Sequence, residues 1–272
     1  MGLSRGNIIK MDVSIIILNY KNKGLIKHQL THFFKTKTKC VSEVSVVDNY
    51  SGDGVGDMVR ELFPAVRFIQ SADNRGYAAG NNVGIKAAAG RYVLICNPDI
   101  VLTVAAVDEL VRFMDEHPAV GIAGPKLTNA DGTLLDSAQR FPDIWLPIYR
   151  RTIFSKTARG KAWLDSYFMH DWDHETSRSV DWLFGACLIV RASALEKVGL
   201  LDERFFLYFE DTDWCRRFWK AKYEVWYVAT VSVIHLWGRQ SGGSPWSLVV
   251  NRTSRVHVWS FLKYLWKWRD NR

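Results

Sequence analysis

Four short apolar runs, each of a strand's length, constrain this chain most: "VSIIILN" (13–19), "EVSVVDN" (43–49), "VRFIQ" (66–70) and "RYVLICN" (91–97). They are rich in β-branched residues, and the first is apolar on both alternating sets of positions, as in a strand covered on both faces. Helical patterns separate them. Leu25, Leu30, Phe33 and Phe34 follow the first run, and Met58, Val59 and Leu62 follow the second after the loop "SGDGVG" (51–56). "NRGYAAGNNVGIKAAAG" (74–90) predicts a glycine-rich turn and an Ala-rich helix stopped by Gly90; Pro98, Asp99 and a helix over 103–116 follow the fourth run. Such alternation predicts an α/β fold with a mostly parallel sheet and helices on both faces. Ligands of these sheets bind at the carboxyl ends of the strands, here near Asn19, Asp48 and Asn97.

The second half is less regular. "LTNADGTLLD" (127–136) suggests a hairpin turning at Asp131 and Gly132, and residues 141–180 read as irregular. "WLFGACLIVR" (182–191) has strand character, helices are expected over 192–198 and 211–221, and strands near 224–228 and 231–235. "GRQSGGSP" (238–245) is a loop. The final stretch, "TSRVHVWSFLKYLWKWRDNR", places Val256, Trp259, Leu262, Leu265 and Trp266 on one side of a helix, with Arg255, Lys263, Lys267 and Arg269 at other angles. A basic, Trp-rich helix suits a membrane interface. Packing on its own domain, or on a second subunit in a homodimer, is the alternative.

Composition narrows the field. Lys plus Arg is 36 and Asp plus Glu is 28, a formal charge of +8 that favours polyanionic partners. The cations are dispersed and no helix-turn-helix, zinc finger or RNP signature occurs, which argues against nucleic acid. Cys40, Cys96, Cys187 and Cys215 lie far apart with no CxxC pair, so reduced thiols in a cytosol are expected. Residues 1–10 lack a signal core, and no apolar run reaches the roughly 18 residues of a spanning helix, so a soluble or peripheral protein is expected.

Several motifs fall in a telling order: "VSIIILNY", "VVDNYSGDG", "NPD" (97–99), "FGACLIVR" (184–191), "GLLDERFFLYFEDTDWCRR" (199–217) and "VIHLWGRQS" (233–241). Over residues 11–245 the chain resembles glycosyltransferase family 2, the inverting GT-A enzymes, and most nearly the bacterial rhamnosyltransferase-like branch. The resemblance implies a GT-A, Rossmann-like nucleotide-diphospho-sugar transferase fold. Its catalytic domain would cover 11–245, with a nucleotide-sugar-binding half (11–125) and an acceptor-binding half (126–245), followed by a C-terminal helix within 246–272. It implies metal-assisted transfer, with Mg2+ or Mn2+, from a dTDP- or UDP-sugar to a hydroxyl of a glycan or lipid-linked acceptor. dTDP-L-rhamnose is the expected donor, and the cytoplasmic face of the cell membrane, making O-antigen-like surface glycans, the expected place.

The resemblance also implies roles by residue. Asp48 accepts the pyrimidine N3–H, as a carboxylate can; alternatively it opens a turn with Ser51. Asn19, Tyr20 and Asn49 face the same crevice. Asn74, Arg75, Gly76 and Tyr77 begin a helix whose amides favour phosphate or sugar oxygens, and Asn81, with Gly80 and Asn82, lies one turn on. Tight helix packing is the alternative for Gly80.

Asp99 is the expected metal ligand, since a hard cation on a diphosphate needs few protein oxygens. Asn97 stands where many relatives carry the first Asp of Asp-x-Asp, and Thr103 makes a better helix cap than Asp99. His235 joins the metal, the alternative being a satisfied core histidine at the end of its apolar strand, and Arg239 and Ser241 clamp the diphosphate. Asp211 is the expected catalytic base, and Glu210 the group that orients the acceptor or hydrogen-bonds the local backbone. Acids in a first helical turn also stabilise the helix by about 0.3–1 kcal/mol each, which suits Asp213. Trp182, Phe184 and Gly185 precede the acceptor region, with Trp182 either a stacking platform or core.

Overall fold

A computed structural model describes residues 11–236 and 251–271. The four apolar runs are strands β1 (Val13–Asn19), β2 (Ser42–Asp48), β3 (Arg67–Gln70) and β4 (Tyr92–Cys96), joined by helices α1 (Lys23–Phe33), α2 (Val55–Leu62) and α3 (Tyr77–Ala87). All their pairings are parallel, and Asn19 lies opposite Asp48 at the ends of β1 and β2. After β4 come β5 (Ile100–Val101), α4 (Val104–Glu116, capped by the Thr103 side chain), β6 (Val120–Thr128) and β7 (Ala138–Gln139). Helices α5 (Leu146–Arg151) and α6 (Ala158–Tyr167), strands β8 (Arg178–Ser179), β9 (Trp182–Leu183) and β10 (Cys187–Arg191), and helices α7 (Ala192–Val198) and α8 (Glu210–Lys220) follow. The described chain closes with β11 (Glu224–His235) and α9 (Arg252–Lys267).

The main sheet runs β3-β2-β1-β4-β10-β6-β11-β5, with β8 paired to β11. Strand β10 is antiparallel to both β4 and β6, while β6 and β11 are parallel. The expected boundary at 125/126 falls inside β6, so both halves share one sheet. One face buries Leu30, Val59 and Leu110 of α1, α2 and α4; the other buries Ile85, Ala194, Trp214 and Phe218 of α3, α7 and α8. Close approach of α3 requires small residues: a Cβ on Gly84 would lie 2.4 Å from Ile16, and one on Gly80 2.6 Å from Leu18.

Five features differ from the sequence expectation. The run 182–191 is not one strand: β9 pairs with β7 in a separate two-stranded sheet, and only β10 joins the main one. Strand β6 escaped the sequence because two glycines and a proline break its pattern, yet Gly121 is needed where a Cβ would meet Phe218 at 2.3 Å. β11 is one strand with an irregularity between Val228 and Ser232. At Asp131 and Gly132 the turn forms, but only an isolated bridge, Thr128 to Leu134, accompanies it. Residues 141–180 fold into short helices held by a run of rings, Tyr149, Trp163, Tyr167 and Phe168, with neighbouring centroids 5.0–5.5 Å apart.

Helix α9 packs on its own domain. Phe261, Tyr264 and Trp268 are buried with Leu146, Tyr167, Phe168, Phe205 and Phe209. Trp259 (63% exposed), Leu262 (48%) and Trp266 (64%) face outward. Among the described residues, no helix is long and apolar enough to cross a membrane.

Candidate active site

At the carboxyl ends of β1 and β2, Asp48 is the centre of a hydrogen-bonded turn. Its Oδ1 accepts from Asn19 Nδ2 (2.8 Å), and its Oδ2 from the Ser51 amide (3.1 Å) and Gln70 Nε2 (2.9 Å). Burial alone would raise its pKa, but the bonds from Ser51, Gln70 and Asn19 outweigh that and hold it below the ordinary carboxylate value. Asp48 is therefore charged and already supports the turn with Ser51. A further donor must use its remaining lone pairs. Asp53, which the sequence reading passed over, also receives the Lys23 and Val55 amides at 3.1 Å. Its signal was present in "NYSGDG", where acid and glycine spacing marks a second turn.

Around this turn Tyr20 and Tyr50 are 44% and 64% exposed. Asn49 Nδ2 donates to Asn74 Oδ1 (2.9 Å) and to the Gly76 carbonyl (3.1 Å). Gly76 has φ 94°, and a Cβ there would sit 2.2 Å from the Phe206 carbonyl oxygen, so no other residue fits. The first amide of α3 is not open to a ligand as expected: the Tyr77 N–H is taken by that same carbonyl at 2.7 Å. Asn81 is 1% exposed and its side chain bonds back to the Tyr77 carbonyl at 3.0 Å. Asn82 holds Leu201, and Arg75 pairs with Glu203 at 2.6 Å.

The turn after β4 brings a second set together. Because β11 pairs with β5 so that His235 faces Ile100, His235 Nε2 lies 3.1 Å from Asp99 Oδ2. The Leu236 amide bonds the Asp99 carbonyl at 2.8 Å. Asp99 Oδ1 is buried and has no hydrogen-bond partner among the described residues. A buried carboxylate oxygen left bare is costly unless something fills the site. Asp99 and His235 fit a divalent cation whose other ligands are diphosphate and water oxygens. No group of three or more His, Cys, Asp or Glu suited to a metal occurs among the described residues, so no all-protein cage is present. Arg239 and Ser241 lie outside the described residues.

The three acids of "LYFEDTDW" turn out to do different things. Tyr208 and Phe209 both take left-handed conformations (φ 69° and 68°), a strained turn of about 1–2 kcal/mol per residue that aims the start of α8. Asp211 Oδ2 accepts the Gly185 amide (2.8 Å), and Oδ1 accepts the Thr212 amide (2.7 Å). Burial raises the Asp211 pKa despite the Gly185 and Thr212 bonds. Glu210 is 4% exposed, with Oε2 lacking a partner among the described residues. Burial first, and the Asp211 charge second, push its pKa well above the ordinary value, so two charges side by side are disfavoured and Glu210 is the member raised further. Asp213 is wholly buried and structural: Arg217 (2.9 Å), Lys267 (2.7 Å) and Trp268 Nε1 (2.9 Å) bind it, locking α9 to α8.

A short strap joins the two ends. The Asn97 amide donates to the Ala186 carbonyl (2.8 Å), next to Gly185, whose amide holds Asp211. Tyr77 Oη donates to the Gly185 carbonyl at 2.6 Å. This is why the 182–191 run breaks: its central peptides serve the carboxylate and α3 instead of a ladder. Tyr77, expected only to help start α3, also ties that helix to Gly185 through its hydroxyl. Trp182 takes the core reading of the two left open for it. It is 7% exposed, its indole N–H is given to the Arg140 carbonyl at 2.8 Å, and its ring lies 5.5 Å from that of half-buried Phe184.

Residues 14–183 match the family model of Glycosyl transferase family 2. The chain belongs to that family, on its rhamnosyltransferase-like branch, and is a glycosyltransferase. It is 28% identical over 237 residues, covering 83% of this chain and 76% of the relative, to the N-acetylglucosaminyl-diphospho-decaprenol L-rhamnosyltransferase of Mycobacterium tuberculosis. It is 27% identical, covering 82% of this chain and 67% of the relative, to the low-salt glycan biosynthesis hexosyltransferase Agl10 of Haloferax volcanii. The fold is shared with the mannosyltransferase PcManGT of Pyrobaculum calidifontis, solved with GDP-Man and Mn2+ (TM-score 0.59, 18% identity). That match covers 93% of this chain and 64% of the solved one.

Proposed function

We propose that this glycosyltransferase moves L-rhamnose from dTDP-L-rhamnose, with inversion, to a hydroxyl of a lipid-diphosphate-linked glycan. The observation that carries the reading is the bare, buried Oδ1 of Asp99 beside His235, strapped through residues 185–186 to the carboxylate of Asp211. Asp48, Asn19 and exposed Tyr20 would receive the nucleoside at the ends of β1 and β2. Asp99 and His235 would hold the Mg2+ or Mn2+, which when bound offsets the charge building on the departing diphosphate. The solved relative with GDP-Man and Mn2+ supports that assignment.

Asp211 takes the proton from the acceptor hydroxyl as it attacks the anomeric carbon from the side opposite the diphosphate. Its two backbone bonds fix its direction, and protonated Glu210 avoids a second negative charge alongside. The lipid-linked acceptor follows the named substrate of the mycobacterial relative. It is supported by the outward Trp259, Leu262 and Trp266 of α9, which suit the surface of a membrane. The reading implies work on the cytoplasmic side, where nucleotide sugars meet lipid carriers. A screen of nucleotide sugars for metal-dependent hydrolysis and transfer tests it. Turnover of dTDP-L-rhamnose, lost in Asp99→Ala, is expected; preferred use of a UDP-sugar would overturn the donor assignment.

A further inference from the structure

Beside the candidate active site lies a groove that the reaction as described does not use. It is lined by Phe206, Arg252, Arg255, Val256, Trp259 and Lys263. The spacing 252, 255, 259 and 263 sets these α9 residues along one side of the helix, with three cations around an indole that is 63% exposed. From residue 225 to residue 269 the sequence contains no Asp or Glu. The acids nearest in the preceding loop are engaged elsewhere: Asp202 with Arg204 and Lys267, and Glu203 with Arg75 and Asn82. The groove is therefore cationic with aromatic and aliphatic walls.

A chain of hydrogen bonds ties its floor to the reacting centre. Ser260 Oγ donates to the Leu207 carbonyl at 2.9 Å. The Phe206 carbonyl accepts the Tyr77 amide, Tyr77 Oη bonds Gly185, and the Gly185 amide holds Asp211. Lys263 gives one proton to the Arg204 carbonyl at 2.8 Å and keeps two donors for a ligand. Beyond the groove, Leu262 and Trp266 continue an exposed apolar track along α9.

We infer that this groove binds the diphosphate of a lipid-linked acceptor, with Arg252, Arg255 and Lys263 on its oxygens and Phe206, Val256 and Trp259 against the first carbons of the lipid. The inference rests on the lipid-linked acceptor reading above and adds where that acceptor is held. Two arginines match phosphate oxygens by forked hydrogen bonds, and the aromatic walls favour a prenyl chain over a free anion. The acceptor sugar then extends past Phe206 toward Asp211, while the chain follows the track toward the bilayer.

The test uses the full chain and farnesyl diphosphate, read by quenching of tryptophan fluorescence, with saturating nucleotide and Mn2+ present. Farnesyl diphosphate is expected to bind at least about ten-fold more tightly than pyrophosphate or farnesol, as two charge-assisted bonds plus apolar contact require. The exposed pair Arg252→Gln/Arg255→Gln should weaken it by at least about ten-fold and raise the KM for a lipid-diphosphate acceptor by a similar factor, with metal-dependent donor hydrolysis unchanged. Lys263→Gln should weaken binding in the same direction. Unchanged affinity in both variants overturns the inference. So does an equal fall, in the arginine pair, in binding to diphosphate-free anionic vesicles, which would mark a general membrane surface. Loss of farnesyl diphosphate binding in the pair, with no lipid-linked acceptor used by the native chain, leaves the groove standing and rejects the acceptor reading. Equal use of such an acceptor by native chain and pair does the reverse.

Discussion

Replacing Gly185 by alanine perturbs the candidate base without touching it chemically. An added Cβ would lie 3.3 Å from Asp211 Cβ, 3.4 Å from Asp211 Oδ2 and 3.5 Å from Tyr77 Oη, so the carboxylate must yield by a few tenths of an ångström. Gly185 is not among the residues with positive φ, so alanine is conformationally allowed. What is lost is the 2.8 Å bond from the Gly185 amide, a charge-assisted contact worth about 1.5–3 kcal/mol. Losing half to all of it slows a step that depends on that carboxylate by about 4- to 160-fold. The same loss moves the acid limb of the pH–rate profile upward, because the amide opposes the effect of burial on Asp211. Steady-state transfer across a pH series, beside donor affinity by calorimetry, measures both. Normal kcat with an unshifted acid limb would refute the role given to the strap, and so would loss of donor binding in proportion to kcat.

Other predictions follow from neighbouring contacts. Lys267→Met removes one of three partners of a fully buried carboxylate, and should lower stability by about 2–3 kcal/mol, or roughly 4–12 °C in Tm. An unchanged melting curve would show that α9 is not locked through Asp213. Glu210→Gln should raise Tm relative to the native chain by a margin that grows with pH. The native fold holds on Glu210 a proton that the unfolded chain releases above its ordinary value of 4.5, so native stability falls as pH rises toward the raised pKa, and the amide escapes that loss. A pH-independent difference would contradict the protonated assignment. Trp259→Ser/Trp266→Ser, both on the outward side, should release the protein from anionic vesicles in sedimentation while Tm stays the same; unaltered sedimentation would count against membrane contact through α9.

How far the sequence reaches depends on how local each cause is. The parallel strands and the crevice at Asn19, Asp48 and Asn97 were legible because apolar periodicity and strand ends are properties of a few consecutive residues. Strand β6 was not, since Gly121, Gly124 and Pro125 are selected by what packs on them, Phe218 in the case of Gly121. The acids of 210–213 looked alike in sequence. They differ because Asp211 meets Gly185, Asp213 meets Lys267 and Trp268 more than 50 residues later, and Glu210 Oε2 meets no partner among the described residues. Which side of α9 turns inward was not legible for a related reason. Both sides of that helix carry aromatic residues, and only the pocket built by Phe205, Phe209 and Tyr167 decides which side turns inward.

The central claim is that one carboxylate, strapped across from a metal-bound diphosphate, removes the acceptor's proton. The most direct measurement is single-turnover sugar transfer by Asp211→Asn, with donor and metal affinity determined on the same sample. The account predicts a fall of about 10²–10⁴-fold or more in the transfer rate with donor affinity intact, since only the base is lost. Transfer at the native rate would contradict it.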